Sequence, residues 1–295
     1  MRYAILANPF SGRVPLPRKR KLLARAGEIL GCSVYGLDVR ELQELTELAR
    51  NLSTRCDVLV VAGGDGTFSH LINVLNTPQV TLAFLPLGTG NALAYALGYP
   101  KRIEAIASGI RNAQIHCCDL LLINGCRRAL TASVGLEGTS LNLRERYLAH
   151  GTSPGLSGYI LGFLRAYLFR YRPILAEIRI DDSPAVQIGR LMSLVVAKHP
   201  YYGYGVKVLP EADLEDGCLH VRALPLNFVQ NFLGLIAALT VGNRTGLYWK
   251  GSRMRVRLQG KLPLQADGTV LEMGNRFTFA VLPGELKLAL PLSMD

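Results

Sequence analysis

The segment VLVVAGGDGTFS, at positions 58–69, constrains the fold of this chain more than any other. Its valine-rich first half is bounded by glycines and predicts a buried parallel strand, and the apolar residues over 71–75 predict a helix directly after it. Backbone N–H groups and the helix dipole then favour an anion such as phosphate beside the glycines. Asp65 would repel that phosphate, so it indicates either Mg²⁺ or a proton taken from an attacking hydroxyl. A simple connector, in which Gly-Asp-Gly serves turn geometry alone, is the alternative.

The same order of strand, glycine-containing loop and helix occurs twice more. The apolar run over 80–85 leads into PLGTGN at 86–91, and the strand-like run over 3–7 leads into NPFSG at 8–12. In an open parallel sheet such loops lie at one edge, outside the carboxyl ends of the strands, where ligands bind. Neither GxGxxG nor GxxxxGK[ST] occurs, which argues against a dinucleotide fingerprint and a Walker-type P-loop.

The pattern of predicted elements changes near residue 115. Strands and helices alternate before it, which predicts an α/β domain with a doubly wound parallel sheet over 1–115. Short strand-like runs follow over 116–283, with helices only around 156–170 and 226–240. They predict a second domain built as an antiparallel β-sandwich or barrel.

The chain resembles a known family in these motifs taken together. NPFSG, GGDGT and PLGTGN, followed by YYGYGVKVLPEADLEDGCLHV at 201–221 and Ala266-Asp267-Gly268, are similar to the diacylglycerol kinase catalytic-domain superfamily and its bacterial YegS/BmrU-like lipid kinases. The resemblance covers nearly the whole chain. It implies a Mg²⁺-dependent kinase that transfers the γ-phosphate of ATP to a lipid hydroxyl, diacylglycerol-like or related. It also implies that the second domain is a β-sandwich and that the strand over 284–295 returns to the first domain.

The resemblance also implies roles for single residues. Asp65 would serve the nucleotide Mg²⁺ or the acceptor hydroxyl, and Asp267 would take the proton of the lipid hydroxyl. Where the family has D-G-E, this chain has Thr269 in the third position, so Asp65 or Glu137 would compensate if that glutamate is the working group. Glu137 is a candidate for the acceptor side. The residues expected around the ATP phosphates and ribose are Asn8, Ser11, Gly12, Gly63, Gly64, Asp65, Gly66, Thr67, Thr89 and Asn91.

A separate metal site is implied in the turn at 213–218. Bacterial members hold a structural Mg²⁺ there, largely through backbone carbonyls, and the matching positions are Asp213, Asp216 and Cys218. A hard cation prefers oxygen ligands, which fits two acidic side chains in one turn. The alternative is an Asx-type hairpin turn that needs no ion. The threonine that bacterial members place near adenine has no counterpart in the stretch over 37–40.

Charge and apolar runs bear on the location of the protein. The net charge is +11, and the segment LSGYILGFLRAYLFRYR at 156–172 combines aromatic residues with arginines, as interfacial helices do. This predicts a cytoplasmic protein in peripheral contact with an anionic membrane surface; a partly buried helix with snorkelling arginines is the alternative. No apolar run reaches the roughly 20 residues of a membrane span, and the N-terminal residues, which lead straight into a predicted strand, do not predict a signal peptide. Recognition motifs for nucleic acid are absent.

Cysteine and histidine spacing argues against other classes of site. The six cysteines form no CxxC pair and are expected to be reduced thiols, and the five histidines show no metal-ligand spacing. Two further functions stay open. A degenerate member that binds nucleotide or lipid without turnover is suggested by Thr269 and the missing threonine, and an NAD kinase shares the GGDGT loop but not the segment over 201–221.

Overall fold

The computed structural model describes residues 1–139, 141 and 173–291. The chain divides into two compact units. Unit 1 comprises the described residues of Met1–Asp119, Gly203–Gly205 and Pro283–Asp295, and unit 2 those of Leu120–Tyr202 and Val206–Leu282. The predicted interfacial segment over 156–172 lies outside the described residues.

Unit 1 is built on a parallel sheet with helices in the connections. Its strands are β1 (Tyr3–Ala7), β2 (Val34–Tyr35), β3 (Val58–Gly63) and β4 (Thr81–Pro86). Its helices are α1 (Leu16–Leu30), α2 (Leu42–Ser53), α3 (Asp65–Val74), α4 (Ala92–Ala96) and α5 (Ile103–Arg111). The strand order β2-β1-β3-β4 is parallel throughout. Lys287 and Leu288, near the end of the chain, add a further parallel strand beside β4.

Burial on both faces explains the unbroken apolar runs of this sheet. All six residues of β3 are buried. Val60 and Ala62 pack in a core with residues of α1 and α5, while Leu59 and Val61, which point the other way, are also fully buried. Helix α1 contacts α5, and α2 contacts α3. The predicted doubly wound parallel sheet is confirmed.

Unit 2 is an antiparallel β-domain. Its elements are β5 (Gln114–Ile123), β6 (Arg127–Ala129), β7 (Thr131–Gly135), β8 (Ile174–Ile180), β9 (Val186–Ala197), β10 (Leu219–Pro225), α6 (Phe228–Ala238), β11 (Leu247–Gly251), β12 (Arg253–Ala266) and β13 (Thr269–Leu290). Strand β5 begins, and β13 ends, in unit 1. Strand β7 pairs with both β9 and β12, and β10 pairs with β9 and β11, all antiparallel. The predicted β-rich second domain is confirmed.

Two elements of unit 2 differ from the sequence-based expectation. The short strand-like runs toward the end of the chain predict separate strands, but residues 269–290 form the single strand β13. A shift of register opposite β12 takes up the irregular residues around Gly274. The sequence does not predict strand β11, because its apolar and polar residues do not alternate clearly. Its hydrogen bonds to β10 define it instead.

Among the described residues, no helix is long and apolar enough to cross a membrane.

Candidate active site

The structure brings the three glycine-containing loops of unit 1 into direct contact. The Asn8 side chain donates from Nδ2 to Thr67 Oγ1 over 2.8 Å, which joins the first loop to the second. The N–H groups of Leu87 and Gly88 both donate to the carbonyl of Gly63, at 2.7 and 3.1 Å, which joins the second to the third. The loops therefore form one surface at the carboxyl edge of the sheet, as parallel strand order requires.

Asp65 connects two of these loops through its carboxylate. Its Oδ2 accepts the N–H of Ala92 at 2.9 Å and its Oδ1 accepts that of Leu93 at 3.1 Å, in the first turn of α4. Burial raises the pKa of Asp65, although these hydrogen bonds act to lower it. Asp65 thus caps α4 from the start of α3, a role that the sequence does not predict.

The close approach of the loops requires glycine at two positions. Gly12 has a φ of +66°, and a Cβ there would lie 2.0 Å from the carbonyl oxygen of Leu87. At Gly88, a Cβ would lie 2.5 Å from the Cα of Gly64. Real Cβ atoms do not approach so closely, so a side chain at either position would push the loops apart.

The remaining predicted residues of unit 1 lie in the same loops. Ser11 donates from Oγ to the carbonyl of Asn8 at 3.0 Å, and Asn91 donates from Nδ2 to that of Gly88 at 3.0 Å. Thr89 is exposed at the tip of its loop. Sequence motifs give no role to Lys19, but its ammonium donates to the carbonyl of Pro9 at 2.6 Å, and only 2% of the residue is exposed. It lies under the first loop as a buried cation.

In unit 2, one face of the central strands is polar although it is buried. On β7, β9 and β12, alternate residues such as Val134, Leu194 and Leu264 enter the apolar core. The intervening positions point to the opposite face. They carry the buried side chains of Thr131, Ser133, Ser193 and Gln265, which we call the polar sheet face. Gln265 donates from Nε2 to Ser133 Oγ over 2.8 Å.

Asp267 continues the polar sheet face beyond the end of β12. Its Oδ1 accepts the N–H of Thr131 at 2.9 Å and that of Leu130 at 3.1 Å, and the Thr131 hydroxyl lies 3.3 Å away. Asp267 has a φ of +46°, and its own N–H donates to the carbonyl of Thr131. These contacts anchor Oδ1 and fasten the turn between β12 and β13 to the start of β7.

Glu137 follows the end of β7 and places a second carboxylate at the polar sheet face. Its Oε1 accepts the Ser193 hydroxyl at 2.5 Å, while its buried Oε2 has no hydrogen-bond partner among the described residues. Burial is the main cause that raises the pKa of Glu137 to about 7. Burial, followed by the charge of Glu137, also raises the pKa of Tyr202, which places this buried hydroxyl in the same cluster. The sequence suggested Glu137 but gave no signal for Tyr202.

The turn at 213–218 does not fit the predicted magnesium site. The ammonium of Lys198, a fully buried residue, donates to Asp216 Oδ1 at 2.8 Å and to the carbonyl of Cys218 at 2.6 Å, so it occupies the position between two of the expected ligands. His220 and Lys250 contact Asp216 Oδ2 at 2.8 and 2.9 Å.

The third expected ligand of that turn, Asp213, accepts the N–H of Glu215 at 2.7 Å, as in an Asx turn. Burial raises the pKa of Asp216, but its hydrogen bonds to Lys198, Lys250 and His220 outweigh this and hold the pKa well below the usual range. The described part of the chain contains no cluster of three metal-ligating side chains. The ammonium groups of Lys198 and Lys250 place positive charge beside the carboxylate of this turn.

Lys198→Met is therefore expected to destabilise the protein by about 2–4 kcal/mol, because it leaves a carboxylate and a carbonyl without their buried donor. Lys250→Met is the matched control, because Lys250 contacts the same carboxylate with a half-exposed side chain. We expect about 0–1 kcal/mol for it. Urea unfolding measures both changes, and EDTA should leave the melting temperature unchanged. A fall in melting temperature with EDTA that Mg²⁺ reverses would restore the metal site.

Two family models match most of the chain. Residues 2–123 match the diacylglycerol kinase catalytic domain, and residues 134–290 match the YegS C-terminal NAD kinase beta sandwich-like domain. The chain belongs to the diacylglycerol kinase catalytic-domain family, in the branch that carries the YegS-type C-terminal domain. The predicted family is confirmed.

Similar proteins agree with this assignment. A diacylglycerol kinase of Bacillus subtilis is 26% identical over 96% of this chain and 92% of its own length. A protein of Stenotrophomonas maltophilia named probable lipid kinase YegS-like is 29% identical over 80% of this chain and 79% of its own. The crystal structure of a diacylglycerol kinase from Bacillus anthracis shares the fold, with a TM-score of 0.77 at 20% identity over 98% of this chain and 96% of that one.

Proposed function

We propose that this protein is a lipid kinase that transfers the γ-phosphate of ATP, bound with Mg²⁺, to a lipid hydroxyl of the diacylglycerol type. The observation that carries the proposal is the joining of three glycine-containing loops into one surface at the carboxyl edge of the unit 1 sheet. Membership of a kinase family also supports the proposal. Phosphoryl transfer depends mainly on positioning and charge stabilisation, and the interlocked loops provide the first of these.

On the nucleotide side, support comes from the close contacts of the loops. Gly12, Gly64 and Gly88 let the loops pack closely against one another, which fixes the backbone N–H groups that phosphates would approach. Asn8 holds Thr67, and Asp65 holds α4 against α3. Asp65 then acts chiefly by fixing the loops. The Mg²⁺ that accompanies ATP would neutralise the charge of its phosphates.

On the acceptor side, Glu137 and Asp267 are the two candidate proton acceptors at the polar sheet face, and the structure favours Glu137. In the reaction, the lipid hydroxyl oxygen bonds to the γ-phosphorus as the bond to the bridging oxygen of ADP breaks, and the hydroxyl proton passes to a base. A base is most effective when its pKa lies near the working pH. Glu137, with a pKa of about 7, meets this condition.

Asp267 is better placed to organise the site than to take the proton. Its Oδ1 accepts two backbone N–H groups and the Thr131 hydroxyl, and these contacts tie the carboxylate to the start of β7. We therefore propose Glu137 as the proton acceptor and Asp267 as the residue that positions the turn. This also explains how the chain can dispense with a glutamate at Thr269.

Incubation with γ-labelled ATP, Mg²⁺ and a total lipid extract, followed by thin-layer separation, tests the function. We expect label in a lipid product that requires both ATP and Mg²⁺. Nucleotide binding without a labelled lipid would favour the degenerate member that binds without turnover. Label in NADP instead of lipid would favour an NAD kinase.

A further inference from the structure

The outward face of α6 is apolar, the reverse of what a helix on the surface of a water-soluble domain normally shows. Its sequence, FVQNFLGLIAA, contains no charged residue. Val229, Leu233 and Ile236 lie on one face at helical spacing and are 65%, 57% and 48% exposed. Leu239 and Val241, directly after the helix, are 50% and 78% exposed. A group of large apolar side chains this exposed marks a binding surface.

The opposite face of α6 is fixed to unit 2. Asn231 donates from Nδ2 to the carbonyl of Pro225 at 3.1 Å, and Ala238 is 3% exposed. Gly234 packs so closely that a Cβ there would lie 2.5 Å from the Thr245 hydroxyl. At the start of the helix, the Asn227 side chain accepts the N–H of Gln230. The helix is therefore a well-anchored element that holds its apolar face outward.

Basic residues adjoin both ends of α6. Arg190 is exposed, and its carbonyl accepts the N–H of Leu226, just before the helix. The N–H of Lys207 donates to the carbonyl of Ala238 at 2.7 Å, at the other end. Near this end, the side chain of Arg244 is 76% exposed and lies 3.9 Å from the carboxylate of Glu211. The same carboxylate forms an ion pair with the buried Arg222 at 2.7 Å.

The sequence on both sides of α6 carries basic residues but no acidic ones. No aspartate or glutamate occurs between Asp216 and Asp267, whereas that interval holds seven basic residues. An apolar face bordered by cations is complementary to an anionic bilayer surface. There apolar side chains enter the acyl boundary, while the cations are attracted to the anionic headgroups.

We propose that α6 is a membrane-docking surface for bilayers that contain anionic phospholipid. Val229, Leu233, Ile236, Leu239 and Val241 enter the headgroup and acyl boundary, and Arg190, Lys207 and Arg244 contact the anionic headgroups. These residues are separate in sequence from the segment over 156–172. The docking surface adds a membrane partner to the proposed kinase, but it does not depend on turnover.

Flotation with phosphatidylglycerol–phosphatidylcholine vesicles, without ATP, tests the surface. The variant Val229→Gln, Leu233→Gln, Ile236→Gln keeps good helix-forming residues and is expected to weaken vesicle binding at least about tenfold. Its matched control changes three exposed apolar residues on strands of unit 2, Leu175→Gln, Val186→Gln and Met273→Gln, and should bind as the unaltered protein does. Pure phosphatidylcholine vesicles should bind weakly.

The docking surface is contradicted if the unaltered protein does not float with anionic vesicles, or if it binds neutral vesicles equally well. It is also contradicted if the α6 variant floats as well as its control. A dimer in sedimentation that the α6 variant alone dissolves would assign the face to a second copy and also overturn the proposal. The docking surface and the kinase activity can be tested independently. If α6-dependent flotation occurs but no lipid is phosphorylated, the docking surface stands and the kinase activity does not.

Discussion

Glu137→Gln is expected to lower kcat by a factor on the order of 10²–10⁴, the usual contribution of a general base, with little change in KM for ATP. Gln keeps the shape of the side chain, and its amide oxygen can still accept the Ser193 hydroxyl that now lies 2.5 Å from Oε1. The variant therefore removes basicity and leaves the packing in place. Steady-state kinetics with a dispersed lipid acceptor measures the change.

The dependence of kcat on pH provides an independent check. A base must be deprotonated to act, so the kcat of the unaltered protein should rise with pH through an inflection near 7, the pKa of Glu137. Asp267→Asn serves as the matched control, since its amide oxygen can still accept the N–H groups of Leu130 and Thr131. We expect a smaller loss with the inflection retained. A larger loss in Asp267→Asn than in Glu137→Gln would return the base to Asp267.

Glu137→Gln should lower kcat, but it should favour the folded state at high pH. Because the folded-state pKa of Glu137 is raised from 4.5 to about 7, its ionisation destabilises the folded protein as pH rises from about 4.5 to 7, and the cost is complete above 7. The gain from Glu137→Gln should therefore be up to ~3 kcal/mol larger at pH 8 than at pH 4.5. Urea unfolding at both values measures the difference. A constant difference would show that Glu137 ionises normally.

Asp65→Asn should reduce kcat/KM for ATP by at least about 10²-fold, because the phosphate-binding loops lose the residue that holds them in register. The amide NH₂ would face one of the two N–H groups, of Ala92 or Leu93, that the carboxylate now accepts. A buried donor left without an acceptor costs about 1–3 kcal/mol, so the melting temperature should fall with activity.

The control for Asp65 is Asp38→Asn, which alters a carboxylate of the same unit whose side chain is 85% exposed. It should change stability by less than about 1 kcal/mol and leave turnover unaltered. If Asp65→Asn retained both the turnover and the melting temperature of the unaltered protein, the GGDGT segment would be only a connector. If turnover alone were lost, Asp65 would act on the reacting groups rather than through the loops.

The fold of unit 1 could be predicted because its signals are local. The run around Val60 is buried on both faces, so it is apolar without interruption, and each strand ends in a glycine-containing loop before the next helix. Unit 2 was predictable as a β-domain but not strand by strand. Gly274 suggests a turn, yet it lies within β13 because the antiparallel partner accommodates the irregularity.

The interactions at the candidate site could not be predicted to the same extent, because they join residues far apart in the chain. Asp65 caps a helix 27 residues away, and Asp267 is bonded to Thr131, 136 residues away. Lys198 shows no motif with Asp216, yet its ammonium stands where an ion was expected. Sequence motifs indicate which residues matter, whereas their partners depend on the tertiary fold.

The parallel strand that Lys287 and Leu288 add beside β4 has a consequence for biosynthesis. During translation, β1 to β4 emerge early, but their sheet lacks its last strand until nearly all of the described chain has left the ribosome. Until then the hydrogen-bonding groups of Thr81 and Leu82 on that edge lack their strand partner, and such open edges favour pairing with other chains. Completion of the first sheet therefore waits until the strands of unit 2, which precede Lys287 in the chain, have been synthesised.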